Sequence, residues 1–137
     1  MGTPQGARRV DGWTIVLGLF GLSNAANGVW MLSRPGHWYE TLPAGVPDFG
    51  PLNEHFVRDI GAAFSVMGLG LIVAALRATD RFVILAGVTS FYVIHALVHV
   101  VDTLRGFVGP EHWAIDFPGS YAPALILIVL TYLARPR

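Results

Sequence analysis

The chain has 137 residues, 53% of them hydrophobic and only 13% charged, with nine Arg, nine Asp or Glu, a net charge of zero and a mean hydropathy of +0.54. That balance excludes an ordinary soluble domain and offers no basic run for nucleic acid. There is no cysteine, which removes disulfides, thiolate metal sites and cysteine nucleophiles. Every basic side chain is Arg, a composition typical of GC-rich bacterial genomes.

Apolar stretches at 13–33, 57–76, 82–101 and 117–134 each approach the ~20 helical residues that cross a bilayer core of roughly 30 Å. The expected fold is therefore all-α, a four-transmembrane-helix antiparallel bundle forming one integral membrane domain over 1–137. Four spans use nearly the whole length and leave no room for a separate soluble catalytic domain.

The first stretch follows Arg8 and Arg9 and has small residues at Ala25 and Ala26, so a cleaved secretory signal competes with a full span. Apolar character continues through Val29, Trp30, Met31 and Leu32, which favours the span. The connection from Arg34 to Glu54 holds Pro35, Pro43, Pro47 and Pro51 with Gly36, Gly45 and Gly50, and reads as an ordered, turn-rich loop with no helix. Arg77 to Arg81, with Thr79 and Asp80 as caps, is a tight turn that makes the second and third spans an antiparallel hairpin. Between Leu104 and Phe117 lie Gly106, Gly109, Pro110 and Trp113, and Pro118 and Pro123 then fall in the opening turns of the last helix. Gly18 and Gly21 on the first span and Gly61, Gly68 and Gly70 on the second permit close backbone approach.

With alternating spans, Arg8, Arg9, Arg77, Arg81, Arg135 and Arg137 share one side, and Arg34, Arg58 and Arg105 the other. The bias places both termini in the cytoplasm of a multi-pass plasma (inner) membrane protein. Trp30, Trp38, Tyr39, Trp113 and Tyr121 would then lie at the outer interface, and Trp13 and Tyr132 at the inner one. Glu40, Asp48, Glu54, Asp59, Asp102, Glu111, Asp116 and the histidines 37, 55, 95, 99 and 112 all become external.

The chemistry concentrates in Asn53-Glu54-His55-Phe56-Val57-Arg58-Asp59 and in the stretch from His95 through His99 to Asp102. At about 100° per residue, His95, His99 and Asp102 form one polar stripe near the outer end of the third span. His55 and Asp59 form a second at the start of the second span, and a hairpin would set the two face to face. Asn24 and Asn27 would join from the first span, and Arg58 or Arg105 would pair with Asp59 or Asp102. Ionisable groups within a membrane face the bundle interior and have partners.

Three readings of this cluster stand. His95 and His99 at i and i+4, with His55 or Asp102, could hold zinc or copper(II); haem is disfavoured, because two histidines on one helix cannot both ligate one iron. His95, His99, Asp59 and Asp102 could instead form a proton relay or the polar end of an apolar small-ligand pocket. In the plainest reading the polar residues tie the helices together by interhelical hydrogen bonds worth roughly 0.6–2 kcal/mol each. His37 and His112, beside tryptophans in loops, read as interfacial residues without a role, and Met31 and Met67 as fillers. No nucleophile or cofactor fingerprint accompanies the cluster, so an enzyme is not favoured.

The run Asn53, His55, Phe56, Arg58, Asp59, Ile60, Gly61, a glycine-rich span, and a span ending His95, His99, Asp102 resembles small four-helix bacterial membrane proteins of the broad DoxX-like kind. The resemblance covers residues 10–135, although the first span has no counterpart of the DoxX arginine motif. It implies the four-helix architecture and supplies no established reaction. The function expected is a small integral membrane protein with an extracytoplasmic His/Asp cluster that binds a transition metal or small ligand. The alternative is a non-catalytic accessory or scaffold subunit, with a membrane-protein partner or a second copy of itself beside it in the lipid bilayer.

Overall fold

A computed structural model describes residues 11–136; Arg8, Arg9 and Arg137, used above for orientation, lie outside the described residues. The described residues form helices and turns with no strand: α1 (Gly12–Ser33), α2 (Pro35–Thr41), a 3-10 turn (Val46–Phe49), α3 (Glu54–Leu76), α4 (Arg81–Leu104), α5 (His112–Ile115), a π turn (Phe117–Tyr121) and α6 (Ala122–Leu133). Four helical segments, Gly12–Ser33, Glu54–Leu76, Arg81–Leu104 and His112–Leu133, are long and apolar enough to cross a membrane by length and composition.

Each start has a local cause. The Asp11 carboxylate accepts from the Thr14 backbone N–H at 2.8 Å and caps α1, and this bond holds the Asp11 carboxyl below its ordinary value. Asn53 caps α3 through the Phe56 N–H at 3.1 Å. Asp80 occupies the N-cap position of α4 as expected, but its carboxylate makes no capping bond and lies 3.6 Å from Arg77.

The four long helices pack in the sequence α1 on α3, α3 on α4 and α4 on α6, each antiparallel to its neighbour. The α1–α3 contact is backbone on backbone. A Cβ at Gly21 would lie 2.8 Å from the Gly68 carbonyl oxygen, one at Gly28 2.6 Å from that of Gly61, and one at Gly68 2.5 Å from the Ala25 nitrogen. Glycine is the residue that fits there. Gly18, expected at this seam, faces open space, and Gly70 faces Ile84 of α4.

At the turn end of the bundle, Leu17, Leu71, Ala74, Leu85 and Leu127 are fully buried in one core. Arg81 fastens that end by donating to the Ala74 carbonyl at 3.1 Å while its guanidinium lies 4.8 Å from the centre of the Trp13 ring. Between α4 and α6, the Thr89 and Thr131 hydroxyls are 2.7 Å apart.

The opposite end, here the cap end, departs from expectation in two places. The proline-rich loop contains the seven-residue helix α2, because Pro35 sits at its first position, where a missing N–H is harmless. The last span does not open as a regular α-helix. Pro118 lies inside a π turn in which the Ala122 N–H reaches the Phe117 carbonyl, and Pro123 follows just beyond it.

Candidate functional site

The cap-end halves of α3 and α4 do not close on each other. Between them and α1, under α2, the 3-10 turn and the π turn, lies a cavity of about 970 Å³. Its walls are mainly apolar, with Phe20, Phe64 and Phe91 toward the core and Trp38, Tyr39 and Phe49 in the roof. Polar groups reach it at few points: Ser23, Asn24 and Asn27 from α1, Asn53 before α3, His95, His99 and Asp102 from α4, and Asp116 and Ser120 from the following segment.

On the α1 side both asparagines are engaged. The buried Asn24 accepts the Tyr92 hydroxyl at 2.7 Å and donates to the Phe20 carbonyl at 2.9 Å. Asn27 accepts the Trp38 indole N–H at 2.9 Å and donates to the Met31 sulfur at 3.7 Å. These bonds tie α1 to α4 and to the roof.

On α4, His95 and His99 share a face as the spacing predicts, their rings edge to face at 4.7 Å. His95 stacks on Phe91 at 5.9 Å and its Nε2 lies 3.4 Å from the Ser120 hydroxyl. His99 Nδ1 is 2.8 Å from Asp116 Oδ2. Asp116, 2% exposed, is shared: its Oδ1 lies 3.3 Å from Nδ1 of His112, which is itself fully buried, and His112 Nε2 lies 3.2 Å from Asp48 Oδ2. The result is a chain of alternating carboxylates and imidazoles from Asp48 to His99.

Local structure sets each member. Gly45, at φ +58°, turns the chain so that Asp48 comes under His112, and a Cβ there would sit 2.9 Å from the imidazole Cε1. The short α5 puts His112 and Asp116 one turn apart on one face, and the π turn lets Asp116 and Ser120 both point inward, where both are buried. Phe49 lies edge-on to both imidazoles, with ring centres 5.0 Å from His99 and 5.0 Å from His112.

Other expected members are elsewhere. His55 and Asp59 face away from the cavity and pair with each other at 3.5 Å, their side chains 89% and 64% exposed. The hairpin is present, but its arms part around the cavity, so the two stripes never meet. Arg58 pairs with Glu54 at 2.9 Å and not with an aspartate. Arg105 is exposed, and among the described residues it forms no ion pair. Asp102 lines the cavity, half-buried, as expected. Among the described residues no three His, Asp or Glu side chains are grouped to hold a metal ion, because His55 is on another face and Asp116 occupies His99 Nδ1. The donor set expected for zinc or copper is therefore not assembled.

His112 is the largest revision: expected to lie idle at the interface, it is the central link of the buried chain. His112 and Asp116, spaced i and i+4, were a sequence signal equal to His95 and His99. His37, by contrast, accepts from the Trp30 indole at 3.1 Å at the surface. No known protein family matches the chain, and neither a curated protein nor a solved structure matches it.

Proposed function

We propose that this is a multi-pass membrane protein, both termini cytoplasmic, whose cap-end cavity binds a small amphipathic molecule taken laterally from the outer leaflet. The observation that carries the reading is the cavity itself. Its volume of about 970 Å³ is in the upper part of the ~300–1,000 Å³ range of small-molecule sites, and it combines apolar walls with a few convergent polar groups. Phe56 on α3 and Ile94 and Val98 on α4 line it and are also 60%, 64% and 53% exposed. The opening is thus bordered by side chains suited to acyl chains, and a ligand's polar end would meet His95, His99 and Asp102. The orientation is supported by the arginine bias, and the plasma membrane by the bacterial character of the composition.

The test uses the protein in lipid nanodiscs and a brominated long-chain alcohol as probe. Saturable quenching of Trp38 emission, identified by difference from Trp38→Phe, is expected, and Val98→Trp should weaken it by narrowing the opening. Quenching that rises linearly with probe and ignores Val98→Trp would count against a binding cavity.

The mutual saturation of Asn24 with Tyr92 and of Asn27 with Trp38 favours a second reading, an accessory subunit whose polar residues serve only packing. Extraction in mild detergent would then yield a larger, defined complex.

A further inference from the structure

The chain from Asp48 to His99 starts in water and ends in the cavity. The Asp48 side chain is 59% exposed, those of His112 and Asp116 are each 1% exposed, and His99 is both 15% exposed and part of the cavity wall. Its three links measure 3.2, 3.3 and 2.8 Å. Carboxylate and imidazole alternate along it, and each interior member offers a different atom to each neighbour: Nε2 and Nδ1 of His112, Oδ1 and Oδ2 of Asp116. A clamp needs only attraction between groups. Conduction needs this further property, a separate entry and exit atom at every station.

We propose that Asp48, His112, Asp116 and His99 form a proton path from the cap-end surface to the cavity. A proton taken from water by the Asp48 carboxylate passes to His112 Nε2 as His112 gives up its Nδ1 proton to Asp116. In the conducting state Asp116 already carries a proton on Oδ2 and His99 Nδ1 is unprotonated; Asp116 receives the incoming proton on Oδ1 and releases the Oδ2 proton to His99 Nδ1, exchanging its single and double C–O bonds. His99 then gives up its Nε2 proton on the cavity side. One proton enters and one leaves, no electron moves, and the net charge of the path is restored.

The surroundings support the assignment. The charged and titratable groups beside His99 are His95 and Asp102 on its own helix and Asp116 from the following segment; those beside His112 are Asp48 and Asp116, and Tyr121 of the π turn lies near Asp116. Among the described residues neither Asp48 nor Asp116 forms an ion pair with an arginine. Phe49 packs edge-on against both imidazoles, and the His112 and Asp116 side chains are each 1% exposed. The path stops at the cavity, since below it Leu17, Leu71, Leu85 and Leu127 fill the core. It delivers protons to an occupant and does not carry them across the bundle. That occupant therefore belongs to the class of small amphiphiles with a protonatable polar end.

Delivery to an occupant rests on the cavity reading above; the path does not, and the experiment addresses the path alone. In nanodisc-reconstituted, 15N-histidine-labelled protein without added ligand, exchange of the His112 and His99 ring protons with water is followed by NMR. Asp48→Asn keeps an acceptor for His112 but cannot pass a proton, and because Asp48 is at the surface the variant should fold. It should slow exchange at both rings by tenfold or more, and Asp48→Glu should restore it. Asp116→Asn should slow His99 exchange while leaving the Trp38 indole N–H unchanged. Exchange at His99 that is the same in wild type, Asp48→Asn and Asp116→Asn overturns the proposal and reduces the chain to a clamp.

Discussion

Asp116 Oδ2 lies 2.8 Å from His99 Nδ1, a contact 17 residues apart in sequence that closes the top of the bundle. Because the same carboxylate also holds His112, which in turn holds Asp48, one buried side chain connects α4, α5 and the 3-10 turn. Asp116→Ala leaves two imidazoles without their acceptor. A loss of about 1–3 kcal/mol is expected from unsatisfied buried polar groups, read as a lower unfolding temperature in detergent. His55→Ala, on an exposed pair, should change stability by less than ~0.5 kcal/mol. Equal effects of the two would contradict the buried role of Asp116.

The α1–α3 seam predicts a sharp position dependence. Gly68→Val forces a side chain into the Ala25 backbone and should cost about 1–3 kcal/mol or prevent folding. Gly18→Val, where a Cβ meets nothing within 4 Å, should be tolerated. Comparing expression and thermal stability of the two variants checks the seam.

Tyr92→Phe removes the hydroxyl that reaches Asn24 and should destabilise by about 0.6–2 kcal/mol, the range for hydrogen bonds between membrane helices. The double variant with Asn24→Leu should lose little more than either single one, since both break the same bond. Strict additivity would show that the two residues act independently.

Asp11 supplies a pH dependence of known sign. Its carboxyl is held below the ordinary value by the Thr14 N–H, so its contribution is present above the ordinary aspartate pKa and is lost as pH falls through the lowered value. Wild type should therefore exceed Asp11→Ala in stability at neutral pH, with the difference shrinking under acid conditions. A difference that stays constant down to low pH would rule out the cap as its origin.

Elemental analysis of purified protein beside a His95→Ala, His99→Ala double variant should find no stoichiometric zinc or copper in either, because no three-ligand group is assembled among the described residues. A stoichiometric metal lost in the double variant would reinstate the metal reading.

The four long helices and their hairpin turn were legible because bilayer-length apolar runs and the short polar break between two of them are local signals. The stripe of His95, His99 and Asp102 followed from helical period alone. Its partners did not. Asp48 meets His112 across 64 residues, through a positive-φ glycine, a four-residue helix and a π turn, none of which leaves a periodic pattern. His55 was misplaced for a related reason: a hairpin fixes which helices are neighbours but not whether their far ends stay together. Phe64 and Phe91 still meet, their ring centres 5.8 Å apart, but beyond them Phe56 and Ile60 of α3 and Ile94 and Val98 of α4 line the cavity instead of packing on each other.

The glycine seam between α1 and α3 also limits how the molecule can respond to an occupant. Two helices already touching main chain to main chain have no slack, so that pair is a fixed jamb. On the α4 side of the doorway the tie to that jamb is a side-chain bond, the Tyr92 hydroxyl on Asn24, so adjustment to an occupant falls to side chains and not to the glycine seam.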